Sequence, residues 1–168
     1  MPSSKVVQVI KHDHWASSKG EIKVGPFVLR FRTPVLAPTE VLDYPQRLSV
    51  LWVYAAENTG AMPDEEDTRR MERYENLLID ALEGDYQAVL TAVITLDGAR
   101  QWIFYTGDDA GCRERIGAIP AENAPYPVEL SSADDPQWEF LRKQILGGIA
   151  YEAHQPLWWE ALEARSDT

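Results

Sequence analysis

Apolar positions recur with a period of two in some stretches of this chain and at helical spacing in others. From Arg47 to Ala56, Leu48, Val50, Trp52 and Tyr54 fall on one face and Ser49, Leu51, Val53 and Ala55 on the other. Neither face is polar, which predicts a central strand covered on both sides. Acids at Asp64, Glu65, Glu66 and Asp67 then open a helix, where they complement its dipole; Met71, Tyr74, Leu78, Ala81 and Leu82 repeat at helical spacing, and Gly84 supplies a stop. Tyr86 to Thr95 reads as a second strand, with Ala88, Leu90, Ala92 and Ile94 expected on one side and Val89, Thr91, Val93 and Thr95 on the other. Asp97-Gly98 is a two-residue hairpin signal, and Arg100 to Thr106 returns antiparallel. Arg100, Trp102 and Phe104 share one side of that strand; Gln101, Ile103 and Tyr105 share the other. Asp108 or Asp109 caps a short helix to Ile116 or Gly117. Tyr126 to Leu130, flanked by Pro125 and Pro127, reads as a strand at the sheet edge.

The order strand, helix, strand, strand, helix, strand predicts an α+β fold, a ferredoxin-like βαββαβ sandwich over residues 47–130. Val6 to Ile10 and Ile22 to Arg32 are expected as N-terminal strands, the second broken at Gly25-Pro26, forming a β-hairpin extension over 6–33. Phe27, Leu29 and Phe31 share one face there, and Arg30 and Arg32 the other. Pro34, Pro38 and Pro45 keep the connector extended. C-terminal helices are expected over 135–165. Asp135-Pro136 opens the first, with Trp138, Leu141, Ile145 and Leu146 as its buried stripe and Gly147-Gly148 as its end, and Pro156 to Ala164 forms the second. The whole of 1–168 is read as one domain. Helices of a split βαβ unit cover only one sheet face, and both faces of the second strand are apolar. The far face therefore needs a cover: the N-terminal strands, the C-terminal helices, or a second copy in a homodimer.

Apolar residues make up 45% of the chain, enough for a real core. The formal net charge of −11 argues against nucleic acid, which needs a basic footprint, and against anionic membranes. No secretory h-region follows the N-terminus, and no window approaches the ~18 consecutive apolar residues of a membrane span. The single cysteine, Cys112, excludes an internal disulfide and suits a reducing compartment. A cytoplasmic protein is expected, with no cofactor.

Candidate chemistry is sparse. Glu75 sits on the stripe of Met71, Leu78 and Leu82, a carboxylate where the helix should face the sheet, and a buried charge needs a partner such as Arg100 or a tyrosine hydroxyl. A ligand site would draw on Glu75 as base, Arg100 as anion clamp, and Trp102 and Tyr105 as lining. His12-Asp13-His14 offers two imidazoles without a third ligand at recognisable spacing, so no metal site is assigned. Cys112 lies beside Arg113 and Arg115 but has no histidine nearby in sequence, which favours a small buried side chain. Trp158 and Trp159 cannot both face one way on a helix, so one is expected to meet solvent or a partner surface, unless the pair docks within the chain on the uncovered sheet face.

Thr95-Leu96-Asp97-Gly98-Ala99-Arg100-Gln101-Trp102-Ile103-Phe104-Tyr105, then Tyr126-Pro127-Val128-Glu129-Leu130, then Asp134-Asp135-Pro136-Gln137-Trp138-Glu139-Phe140 form a combined pattern. The pattern resembles the bacterial domain-of-unknown-function family 695, over roughly residues 12–150. Gly60-Ala61-Met62-Pro63 is similar to that family's Gly-x-Pro approach to the first helix, with one extra residue. The resemblance implies no established activity. It implies an architecture similar to regulator B of ribonuclease E activity, a protein inhibitor of an endonuclease, and so favours interaction over catalysis. The expected function is a non-catalytic protein-binding or regulatory module. The rivals are a small-ligand binder or enzyme with a pocket beside the sheet, and an immunity protein against a basic toxin.

Overall fold

The structure, a computed structural model, describes residues 4–23, 25–54 and 62–149. Six strands form one sheet: β1 (His14–Ile22), β2 (Gly25–Thr33), β3 (Gln46–Val53), β4 (Ala88–Leu96), β5 (Ala99–Thr106) and β6 (Val128–Asp134). They lie in the order β1-β2-β4-β5-β3-β6, every neighbouring pair antiparallel. Helices α1 (Ser4–His12), α2 (Glu65–Glu83), α3 (Asp109–Gly117) and α4 (Phe140–Ile149), the last wound as a π-helix, complete the described mixed α/β chain.

Buried residues divide into two clusters, one per sheet face. Beneath α2 and α3, Leu48, Val50, Trp52, Trp102 and Phe104 of the sheet meet Met71, Tyr74, Leu78, Leu82, Cys112 and Ile116. On the far face, Phe27, Leu29, Phe31, Val89, Ala92, Ile94, Ile103 and Tyr105 meet Val6 and Val9 of α1, connector residues Val35, Leu36, Val41 and Tyr44, and Trp138, Leu141, Ile145 and Leu146 around α4. The chain's own segments thus cover this part of the far face, which reduces the need for a second copy there. Each large apolar side chain so buried contributes about 1.5–3 kcal/mol.

Several local expectations need correction. Val6 to Ile10 lies within α1, not in a strand. Its β-branched run fits either state, but in a helix Val6 and Val9 fall on one face and both enter the far core. Ile22 to Arg32 is not one broken strand: β1 ends at Ile22, and β2, starting at Gly25, returns against it with His14 opposite Thr33. The alternation expected in β4 breaks at Thr91, where the register against β5 shifts between Leu90 and Ala92. Val89, Ala92 and Ile94 consequently face the far core, and Ala88, Leu90 and Val93 face α2.

The Asp97-Gly98 turn forms as expected, with φ of 56° and 78°, the left-handed pair that a type I′ hairpin requires. β6 begins at Val128 because Pro127 has no N–H to offer a ladder, and it ends the sheet, as expected of an edge strand. Asp135 caps the C-terminal segment, accepting from the Glu139 and Phe140 amides at 2.8 and 3.0 Å. Helical winding starts only after Trp138, whose φ of 59° turns its indole inward. There the indole stacks on Tyr105 at 4.5 Å and donates to the Tyr44 carbonyl at 2.9 Å. The expected helix from Pro156 lies outside the described residues.

Candidate functional site

Arg30 and Arg32 of β2 project onto the α2 face, and two carboxylates of α2 reach down to them. The Glu75 carboxylate accepts from Arg30 Nη2 at 2.5 Å and from Trp102 Nε1 at 2.8 Å through one oxygen. The register explains the meeting. Val93 pairs with Arg30 on one side and Trp102 on the other, so Glu75 reaches across the valine between two donors. Glu75 thus has a partner, as a carboxylate facing a sheet requires, but that partner is Arg30 rather than Arg100.

Arg32 is the more deeply buried cation, its side chain 4% exposed against 36% for Arg30, and its partner Glu83 is equally buried. Its Nη1 donates to Glu83 Oε2 at 2.6 Å and to the Leu90 carbonyl at 3.1 Å, and Nη2 donates to Asp13 Oδ1 at 2.7 Å. Glu83 Oε2 also accepts the Leu90 amide at 2.6 Å. The Trp15 ring lies 4.9 Å from the Arg32 guanidinium, and its indole N–H donates to Asp13 Oδ1 at 2.7 Å. That indole bond, followed by the opposing cost of burial and the bond from Arg32, leaves the Asp13 carboxyl below its ordinary value. Sequence reading passed over Glu83 because it sits at the end of the α2 stripe. The signal was the arginine pair on one face of β2, which has to find carboxylates.

Arg100 lies on the same sheet face as Trp102, its Nε donating to Thr95 Oγ1 at 2.8 Å. Burial, followed by repulsion from Arg30, lowers its pKa. Tyr105 points to the opposite face and donates to Asp135 Oδ2 at 2.7 Å. Burial, reinforced by that carboxylate, pushes its phenol far above the ordinary range. The structure brings Glu75 and Trp102 into contact, leaves Arg100 bonded to Thr95, and separates Tyr105 from all three by the thickness of the sheet. Trp158 and Trp159 lie outside the described residues.

The remaining chemistry is similarly placed. Cys112 is fully buried and bonded to Thr106 Oγ1 at 3.3 Å, and burial raises its thiol pKa despite that bond. His12 and His14, with ring centroids 6.1 Å apart, border a cleft of about 310 Å³ between α1 and the connector. Among the described residues no cluster of three or more histidine, cysteine or carboxylate side chains is arranged to hold a metal. Asp43, Asp85 and Asp108 border a second cleft of about 450 Å³ at one end of the sheet. Asp85 there is held by Arg115 through two bonds of 2.8 Å, which depress its pKa.

A third cleft, of about 300 Å³, runs beside β6 under the loop that joins α3 to it. Tyr74, Ile116, Ile119, Tyr126, Val128 and Leu130 form its apolar walls, with Arg113 among its lining residues. Arg113 bonds Asp109 at 3.0 Å and Ser132 at 2.6 Å. Tyr126 packs on Tyr74 at 4.5 Å, and its hydroxyl is buried with no hydrogen-bond partner among the described residues. No described helix is long and apolar enough to cross a membrane.

An antiparallel six-stranded sheet, clothed on both faces and cross-braced by arginine–carboxylate pairs, defines a mixed α/β protein whose internal charges engage one another. The model of the family of unknown function DUF695 matches residues 13–144, and the chain belongs to that family. No curated protein and no solved structure matches it.

Proposed function

We propose that this protein is a non-catalytic module that binds another protein through its acidic surface. The observation that carries this reading is the fate of the polar groups named from the sequence. Glu75 is held by Arg30 and Trp102, Arg100 bonds Thr95, and Tyr105 lies across the sheet, so these groups do not line one pocket as a base and an anion clamp would. The net charge of −11 favours a basic partner and works against pairing with a second copy. A buried free cysteine suits the reducing cytoplasm.

Within the sheet, the sub-order β6-β3-β5-β4 with α2 and α3 on one face supports the finer reading of a ferredoxin-like βαββαβ core, extended by β1 and β2. The architectural analogy with regulator B of ribonuclease E activity points to the same binding role. Affinity capture from the source cell, followed by calorimetry of the purified pair, tests this function. The expected result is a basic partner bound at physiological salt and released as salt rises. Capture of none, together with thermal stabilisation by a metabolite from a panel, would replace this reading with the small-ligand one.

A further inference from the structure

We propose that the outer edge of β6 and the cleft beside it take up an extended basic segment of a partner protein as a seventh strand. This rests on the protein-binding reading above and names the site and partner chemistry for it. Among the described residues β6 pairs only with β3, from Gln46 opposite Asp134 to Trp52 opposite Val128, so its other edge offers backbone donors and acceptors beyond the Val128 amide, which donates to the Tyr126 carbonyl at 2.9 Å. Such an edge beside pockets for alternate side chains is the geometry of strand-addition recognition.

The register fixes what the added strand should carry. Val128 and Leu130 pair with Trp52 and Val50, so they face α2 and open onto the cleft; Glu129, opposite Leu51, faces the other way and is exposed. A neighbouring strand would therefore place apolar side chains toward Tyr74, Tyr126, Ile116 and Ile119, and alternate basic side chains beside Glu129. Among the described residues the buried Tyr126 hydroxyl has no hydrogen-bond partner, and a backbone polar group of the incoming strand would complete it.

The opposite sheet edge, β1, lacks this combination. Its exposed Glu21 is offset by an exposed Lys19 two residues away, the type of side chain that blunts an edge and repels a basic strand. A second copy of the chain is the poorer occupant, since each brings a charge of −11.

The test uses the full chain and a nine-residue peptide alternating lysine and valine, a scrambled peptide of the same composition, and a glutamate–valine counterpart. Amide exchange and backbone chemical shifts are followed on titration. The expected result is binding of the lysine–valine peptide, with residues 128–134 shifted and protected and β1 unchanged. Glu129→Lys should weaken that peptide by about two- to fivefold, the size of one exposed charge pair, and improve the glutamate–valine one. Tyr126→Phe should bind the peptide less well while keeping its far-ultraviolet spectrum. Absence of binding, equal binding of the scrambled peptide, or changes centred on β1 would overturn the β6 site. If a captured partner still binds the protein while β6 amides stay unprotected, this inference fails and the protein-binding reading survives. If no partner is captured and a metabolite stabilises the fold, the broader reading fails.

Discussion

Replacing Glu83 by alanine should be among the most damaging single changes in the α2 face. Glu83 Oε2 accepts from both Arg32 Nη1 and the Leu90 amide, at 2.6 Å each. Truncation leaves a guanidinium that is 4% exposed with Asp13 as its remaining carboxylate, and that carboxylate is 63% exposed. Removing one partner of a buried pair typically costs about 3–5 kcal/mol. An orphaned amide adds about 1–3 kcal/mol, partly overlapping with the first cost because the two bonds share one oxygen. A loss of about 4 kcal/mol would consume much of the ~5–15 kcal/mol by which domains are stable. Urea unfolding followed by tryptophan fluorescence should show the midpoint fall with little change in slope. The double variant Glu83→Leu/Arg32→Met, which removes both charges and restores apolar volume, should recover at least about 1–2 kcal/mol relative to Glu83→Ala, since apolar replacement of a whole buried pair is often near neutral. A Glu83→Ala cost below about 1 kcal/mol, or no recovery in the double variant, would refute the view that these two groups depend on each other.

Tyr44 and Tyr74 are pushed by burial to about 12, and Tyr105 higher still. Unfolded phenols ionise near ~10, so above that pH the unfolded chain has lost protons that the native one retains, and stability falls as pH rises. The fall should amount to on the order of 2 kcal/mol for each of Tyr44 and Tyr74 by pH ~12. Absorbance at the phenolate band should rise with the unfolding transition for these residues; full titration near pH ~10 in a folded chain would contradict their burial. Glu75→Gln keeps an acceptor for Trp102 but removes the charge facing Arg30, and should cost about 1 kcal/mol with a shift in tryptophan emission, measured by denaturant titration and fluorescence. Cys112 should resist a thiol reagent in the native protein and react only in denaturant, because its sulfur is buried and its pKa raised. Asp108→Ala, which removes the α3 cap bond to the Gly111 amide at 3.0 Å, should cost about 1 kcal/mol in chemical unfolding.

Periodicity made β3, β5, α2 and the hairpin at Asp97-Gly98 legible, because β5 sends alternate residues into both cores, β3 and α2 each set one regular stripe into the core between them, and the Asp-Gly pair carries its own turn signal. It failed at Val6 to Ile10, where five residues of mixed propensity could satisfy either a helix or a strand, and only the far core decides between them. The need for a second cover was readable from the apolar faces of β4. Which segments supply it was not, since α1, the connector and α4 approach from distant parts of the chain. At the candidate site, Glu75 stood out as a charge on an apolar stripe, but its partner lay 45 residues upstream across a strand pairing that the sequence does not display. Tyr105 was grouped with Trp102 despite its opposite parity, an assignment that strand alternation alone argues against. The cleft beside β6 has no signature in the sequence, because its walls come from α2, α3 and the Pro-rich loop, none of which is conspicuous alone.

The extra residue at Thr91 acts as a phase shifter. Its hydroxyl donates to the Ile103 carbonyl at 2.8 Å, securing the irregularity. Deleting this one residue without moving the strand ends would swap the destinations of the residues on one side of it. Val93 would then be sent away from α2, leaving no apolar floor between Arg30 and Trp102 for Glu75 to span, while Ala92 and Ile94 would abandon the opposite interior. A single-codon loss there would therefore disturb both halves of the molecule together.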